Sequence, residues 1–269
     1  MKRFTLHIIL LFAVQFPLYA QFNELPAELR DVGIVENLGD RIPGDIQFIN
    51  EQGDTVLVED FLASGKPLII TPIYFECPML CNLIINGLTD GMKQLTWQPG
   101  KEFEVLTFSI DPNENHVLAA EKKASYLRLL GNPDAASGWH FLTTDQHNID
   151  RMTQALGFNF KWSDEAQEFL HGSSIMFVSP NGTITRYLYG IDYTPLNLRN
   201  ALFDAAEGKI GSSIERVILY CYTFDPNSRS YVANAVNIMK LGGLITLISL
   251  SIFLGLLWFR KNTSKTNNA

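Results

Sequence analysis

The run Lys66–Phe75, KPLIITPIYF, constrains the fold more than any other stretch of this chain. It is almost continuously apolar and rich in β-branched residues, which marks a central strand buried on both faces. Such a strand needs further strands beside it and helices over it. EFEVLTFSID at Glu102–Asp111 is a second run of this kind, and WHFLT at Trp139–Thr143 is a shorter third. Between the first two, Leu80, Leu83/Ile84, Leu88, Met92 and Leu95 recur at helical spacing, so a helix is predicted from Cys77 to about Leu95. NENHVLAAEKKASYLRLLG predicts a helix with an Asn at its start and Gly131 at its end. DQHNIDRMTQALG predicts another, capped by Asp145 and stopped by Gly157. DIQFINEQGDTVLVEDF alternates about Gly53-Asp54, and SSIMFVSPNGTITRYLYG turns at Asn181-Gly182, so each predicts a hairpin. TPLNLRNALFDAAEG reads as a closing helix, while FNFKWSDEAQEFLHG is assigned no element. Strands that alternate with helices and end in a hairpin and a helix predict an α/β layered domain with a mixed central sheet flanked by helices.

The two ends set an expected compartment. Met1-Lys2-Arg3 followed by an apolar stretch ending at Ala20 has the form of a secretory signal, residues 1–20. Residues 241–259, LGGLITLISLSIFLGLLWF, carry no charge over 19 positions, and Arg260, Lys261 and Lys265 follow. That length suits a bilayer core, and the basic flank assigns the tail, residues 260–269, to the cytoplasm. The expected protein is single-pass in the cytoplasmic membrane. Its main domain, residues 21–210, lies on the periplasmic or extracytoplasmic side, with residues 211–240 a juxtamembrane extension. Residues 21–240 hold all 28 Asp and Glu but 16 of the 21 Lys and Arg, a net charge of −12. An acidic body excludes nucleic acid, which requires a basic face.

Two of the three cysteines stand in FECPMLCN, at Cys77 and Cys81, where a strand gives way to a helix. Ligands commonly bind at that end of an open α/β sheet. Residues four apart share one helical face, so both sulfurs can address one object. A helix N-terminus favours thiolate over thiol, most strongly at Cys77, and Pro78 fits a first helical turn. Two convergent thiolates are soft donors suited to Cu(I) before any hard cation. A structural disulfide would close so short a loop that little chain entropy is gained. Zinc would want a second cysteine pair, and haem attachment the Cys-x-x-Cys-His run. A redox disulfide between Cys77 and Cys81 stays open. His116, His140, His147 and His171 are available to complete a site, and pattern alone does not choose among them. Cys221, between Tyr220 and Tyr222, reads as a packed small hydrophobe.

YFECPMLCN, then FSIDPNEN on the next strand, then HGSSIMFVSPNGTITRYLYG resemble the Sco/SenC family over roughly Gly33–Gly208. Its members are thioredoxin-like copper-binding proteins of cytochrome c oxidase assembly. The resemblance implies a thioredoxin-like fold, copper bound by Cys77, Cys81 and His171, and Asp111 of SIDP near the site. It also implies a copper-accepting oxidase subunit as partner. The expected function is therefore a copper metallochaperone. The alternative is a thiol–disulfide oxidoreductase that reduces the acceptor's cysteines. This chain departs from many members at Asn82, where they have Pro, and at Leu170, where they have an acid. Its anchor also falls at the C-terminal end, where many members are anchored at the N-terminus, and IERVILYCYTFDPNSRSYV resembles an extension found in a membrane-tethered bacterial subgroup.

Overall fold

The computed structural model describes residues 31–210, 222–225, 230–233, 242–243 and 246–253. The expected signal, Cys221 and most of the 211–240 extension lie outside the described residues, as do residues 241, 244–245 and 254–259 of the expected span. Among the described residues no helix is long and apolar enough to cross a membrane.

Strand β4 (Leu68–Ile73) is buried at every position, as its unbroken apolar run requires. It pairs in parallel with β5 (Glu104–Ser109), and β5 pairs in parallel with β6 (Trp139–Leu142). On its other side β4 meets β9 (Ser174–Val178) antiparallel, and β9 meets β10 (Ile184–Tyr189) antiparallel. The sheet is therefore mixed, in the order β10-β9-β4-β5-β6. A two-stranded ribbon, β2 (Gln47–Ile49) with β3 (Thr55–Leu57), turns at Gly53, where φ is +90°. The expected hairpin stops at Leu57, and Val58–Leu62 forms a short helix, α1, with Asp60 accepting from the Leu57 N–H at 2.7 Å.

Four longer helices follow, three of them close to their sequence signals. α2 spans Leu80–Lys93, and α3 spans His116–Leu130 with Asn115 accepting from Val117 and Leu118 and Gly131 left-handed at φ 74°. α4 (Gln146–Ala155) is capped by Asp145, and α5 (Pro195–Ala206) by Thr194 with Pro195 in its first turn. These caps satisfy N–H groups that a helix start leaves without partners. Phe48, Phe75, Phe103, Phe108, Trp139, Phe141 and Phe177 are fully enclosed in the core.

The chain divides into two compact units, one comprising Val35–Phe158 with the chain from Ser173, the other the N-terminal stretch to Ile34 with Asn159–Gly172. In the second, β1 (Gly33–Ile34), β7 (Phe158–Ser163) and β8 (Glu168–His171) make a small sheet. The unassigned stretch is thus a β-hairpin, closed by Gln167 at φ 53° and by Gln167 N–H donating to the Ser163 carbonyl at 2.8 Å. A last hairpin, β11 (Tyr222–Asp225) with β12 (Ser230–Ala233), lies beyond α5.

Candidate metal centre

The helix that carries the second thiol starts later than its apolar period predicts. α2 begins at Leu80, so Cys77 sits in the turn before it and the two cysteines do not share a helical face. Pro78 is the physical reason, because a proline disfavours the helical region for the residue ahead of it. Pro78 accordingly stands outside the first helical turn. Convergence is achieved differently. The Cys81 N–H, one of the donors that the helix start leaves over, donates to Cys77 Sγ at 3.3 Å, and the Tyr74 N–H reaches Cys81 Sγ at 3.5 Å. Both residues are thiols, only 5% and 1% exposed. Burial pushes the Cys81 thiol far above its ordinary range, with the Cys77 thiol beside it and the Glu114 carboxylate adding to the effect. The expected preference for thiolate is overridden at Cys81 by desolvation. A bound cation would supply the charge that permits deprotonation.

Two side chains to which the sequence assigns no role hold the turn. Glu114, 8% exposed, accepts from the Phe75 N–H through Oε2 and from the Glu76 N–H through Oε1, each at 2.8 Å, and the Ser109 hydroxyl also donates to Oε2. Burial raises its pKa, against the opposing pull of those donors. Asn82 donates through Nδ2 to the Cys77 carbonyl at 3.0 Å and accepts from the Tyr126 hydroxyl at 3.2 Å. The position where many family members have Pro thus ties the thiol turn to α3. Asn82 directly follows the second cysteine and Glu114 stands in FSIDPNEN, but which backbone groups they meet was not visible in the sequence.

His171 is the last residue of β8 rather than a loop residue, and it is partly buried. Its Nδ1 lies 2.9 Å from the Gly172 carbonyl, an arrangement that, with the proton on Nδ1, leaves Nε2 as the donor atom. Three residues on, the chain enters β9. The register Leu68↔Val178, Ile69↔Phe177, Ile70↔Met176 sets the start of β9 level with the end of β4, where the chain turns into Cys77. One ligand atom from each of Cys77, Cys81 and His171 lies within 4.8 Å of the others. Donors at ~2.0–2.3 Å from one ion stand no more than ~4.6 Å apart, so a small closure suffices to bind.

The other histidines are elsewhere engaged or exposed. His140 packs on Phe61, ring centroids 4.8 Å apart, with Nε2 3.6 Å from Glu104 Oε2. His116 and His147 are exposed near the starts of α3 and α4. Asp111 accepts through Oδ1 from the Asn113 N–H at 2.9 Å and from Asn113 Nδ2 at 2.8 Å, the behaviour of a strand-end cap.

Residues 35–202 match the SCO1/SenC family model. The chain belongs to the SCO1/SenC family. No curated protein matches it. Among solved structures, it is 29% identical to a protein of Aquifex aeolicus VF5 named for electron transfer, with a TM-score of 0.57 over 64% of this chain and 96% of that one. BsSco, a member of the Sco family of cytochrome c oxidase assembly proteins, is 21% identical at a TM-score of 0.51, covering 65% of this chain and 98% of its own. A SCO1/SenC family lipoprotein of Bacillus anthracis str. Ames is 17% identical at 0.50, covering 64% and 99%. These two share the fold, an α/β sheet with the thioredoxin-like arrangement expected from the motifs.

Proposed function

We propose that this SCO1/SenC protein is a copper metallochaperone that takes copper as cargo on Cys77, Cys81 and His171 and passes it to a dithiol-bearing subunit of a respiratory oxidase. The observation that carries this is the convergence of two buried thiols and one imidazole within 4.8 Å. Two thiolates suit Cu(I), and the imidazole makes Cu(II) tenable. Family membership agrees, as does BsSco's placement among cytochrome c oxidase assembly proteins. The chain's own residues do two things here: Cys77 and Cys81 hold the soft ion away from water, and His171 offers Nε2 as the borderline donor. Release would follow as acceptor thiols replace Cys77 and Cys81 one at a time. The body would work outside the cytoplasmic membrane, tethered by residues 241–259.

A thiol–disulfide oxidoreductase is the second reading. The 3.3 Å approach of the Cys81 N–H to Cys77 Sγ, which keeps the two cysteines together, favours it, as does the disulfide switch identified in BsSco. Against it, the residues entering β9 are Ser173 and Ser174, where reductases of this fold generally carry a proline. Mixing the copper-loaded chain with a copper-free acceptor separates the two. Copper should move while the acceptor stays reduced. Disulfide reduction in the acceptor with no copper transfer would favour the oxidoreductase.

A further inference from the structure

The turn that carries Cys77 has no regular hydrogen-bonded neighbour at Phe75 and Glu76, because β4 ends at Ile73 and α2 starts at Leu80. Two consecutive buried or half-buried N–H groups there would be costly without acceptors. Both are met by one side chain, Glu114, which reaches across from the loop between β5 and α3. A third donor, the Ser109 hydroxyl, fixes the carboxylate from behind, and that hydroxyl itself accepts from the Asp111 N–H at 3.0 Å. Glu114 therefore points at backbone, not at the thiols, and its two oxygens are engaged as acceptors on three donors. Resting on the copper reading, we infer that Glu114 is a positioning residue for the metal centre: it fixes the turn that aims Cys77 at Cys81 and sets a buried negative charge that favours Cu(II) over Cu(I).

The charge follows from counting. Two thiolates and a neutral imidazole give a complex of net charge −1 with Cu(I) and 0 with Cu(II). A fixed carboxylate nearby repels the first and not the second, and low dielectric strengthens the difference. The geometric part has an equally simple origin. Glutamine at this position has one acceptor oxygen and one N–H₂, so one of the two amides would face a donor instead of an acceptor. The turn would lose one side of its clamp while the side chain keeps its size.

The test uses the full-length chain purified in detergent, with E114Q as the isosteric change and E114A as the full deletion. In E114Q, Cu(II) affinity should fall by roughly tenfold or more, as for other partners that orient metal ligands, while Cu(I) affinity changes less. The thiolate-to-Cu(II) charge-transfer band should shift. In the copper-free chain, alkylation of Cys77 and Cys81 should accelerate several-fold as the unclamped turn opens. Unchanged Cu(II) affinity with an unchanged alkylation rate would overturn the inference. Equal losses in both copper states with an unchanged alkylation rate would also overturn it, since a merely structural role moves both states alike. Should the wild-type chain bind neither copper state, the copper reading fails on its own, and an unchanged alkylation rate would still decide against the clamp.

Discussion

At the scale of single residues, the buried ion pair between Lys123 and Glu51 shows how little of this core's electrostatics can be read from spacing. The two lie 72 positions apart, and both are 8% exposed. Lys123 also donates to the Ala136 carbonyl at 2.7 Å, and Glu51 Oε2 accepts from the Phe141 N–H at 3.3 Å. Burial works to raise the Glu51 pKa, but the Lys123 hydrogen bond and charge prevail and hold it below the usual carboxylate range. Because folding depresses this pKa, its contribution is complete at neutral pH, above an unfolded value of about 4.3, and is lost as pH falls through the folded value. Glu51→Gln should cost about 3 kcal/mol at pH 7, since it leaves a buried ammonium without its partner. Urea denaturation from pH 7 down to pH 3 checks this: the variant should lose stability with acid less steeply than wild type. Parallel curves would contradict the assignment.

At the scale of elements, most strands and helices were legible because their apolar periods and caps agree. β4, β5, α3, α4 and α5 fall within a residue or two of their signals, with Asn115, Asp145 and Gly131 in the expected roles. The start of α2 was misplaced because helical spacing persists through Cys77, while the veto comes from one residue, Pro78. The β7–β8 hairpin was missed because three of its four turn residues, Glu165, Ala166 and Gln167, favour helix, although FNFKWS alternates cleanly. Its faces are held by Trp162 and Phe169, edge to face at 5.0 Å. The three residues that cluster at the candidate metal centre were legible through three ordered motifs. Glu114 and Asn82 were not, because the groups of the thiol turn that they hold are backbone atoms. α2 also carries Gly87 and Gly91, poor helix residues whose reason is contact: a Cβ on Gly87 would stand 2.0 Å from the Ile191 carbonyl oxygen, and one on Gly91 2.4 Å from that of Tyr193. Gly87→Ala should therefore destabilise by ~1–3 kcal/mol despite better helix propensity. A thermal midpoint at or above wild type would show that the loop beyond β10 can withdraw freely.

For the whole molecule, the proposed topology is an exported acidic body held by a C-terminal tether. The net charge of −12 over residues 21–240 and the uncharged 241–259 run flanked by Arg260 and Lys261 predict one orientation. Protease added to intact spheroplasts should remove the body and leave the last residues protected; a protected body would contradict this topology. The central claim, however, is chemical: Cys77, Cys81 and His171 form one copper site. Its most direct measurement is an anaerobic Cu(I) and Cu(II) titration of the full-length chain in detergent, alongside Cys77→Ser, Cys81→Ser, His171→Ala and, as control, His140→Ala. The account predicts one copper per chain in each state for wild type and control. Either serine variant should weaken both states, since each removes one of two thiolates. His171→Ala should weaken Cu(II) far more than Cu(I) and bleach or shift the thiolate-to-copper absorption. A His171→Ala chain that binds both states as tightly as wild type would contradict it.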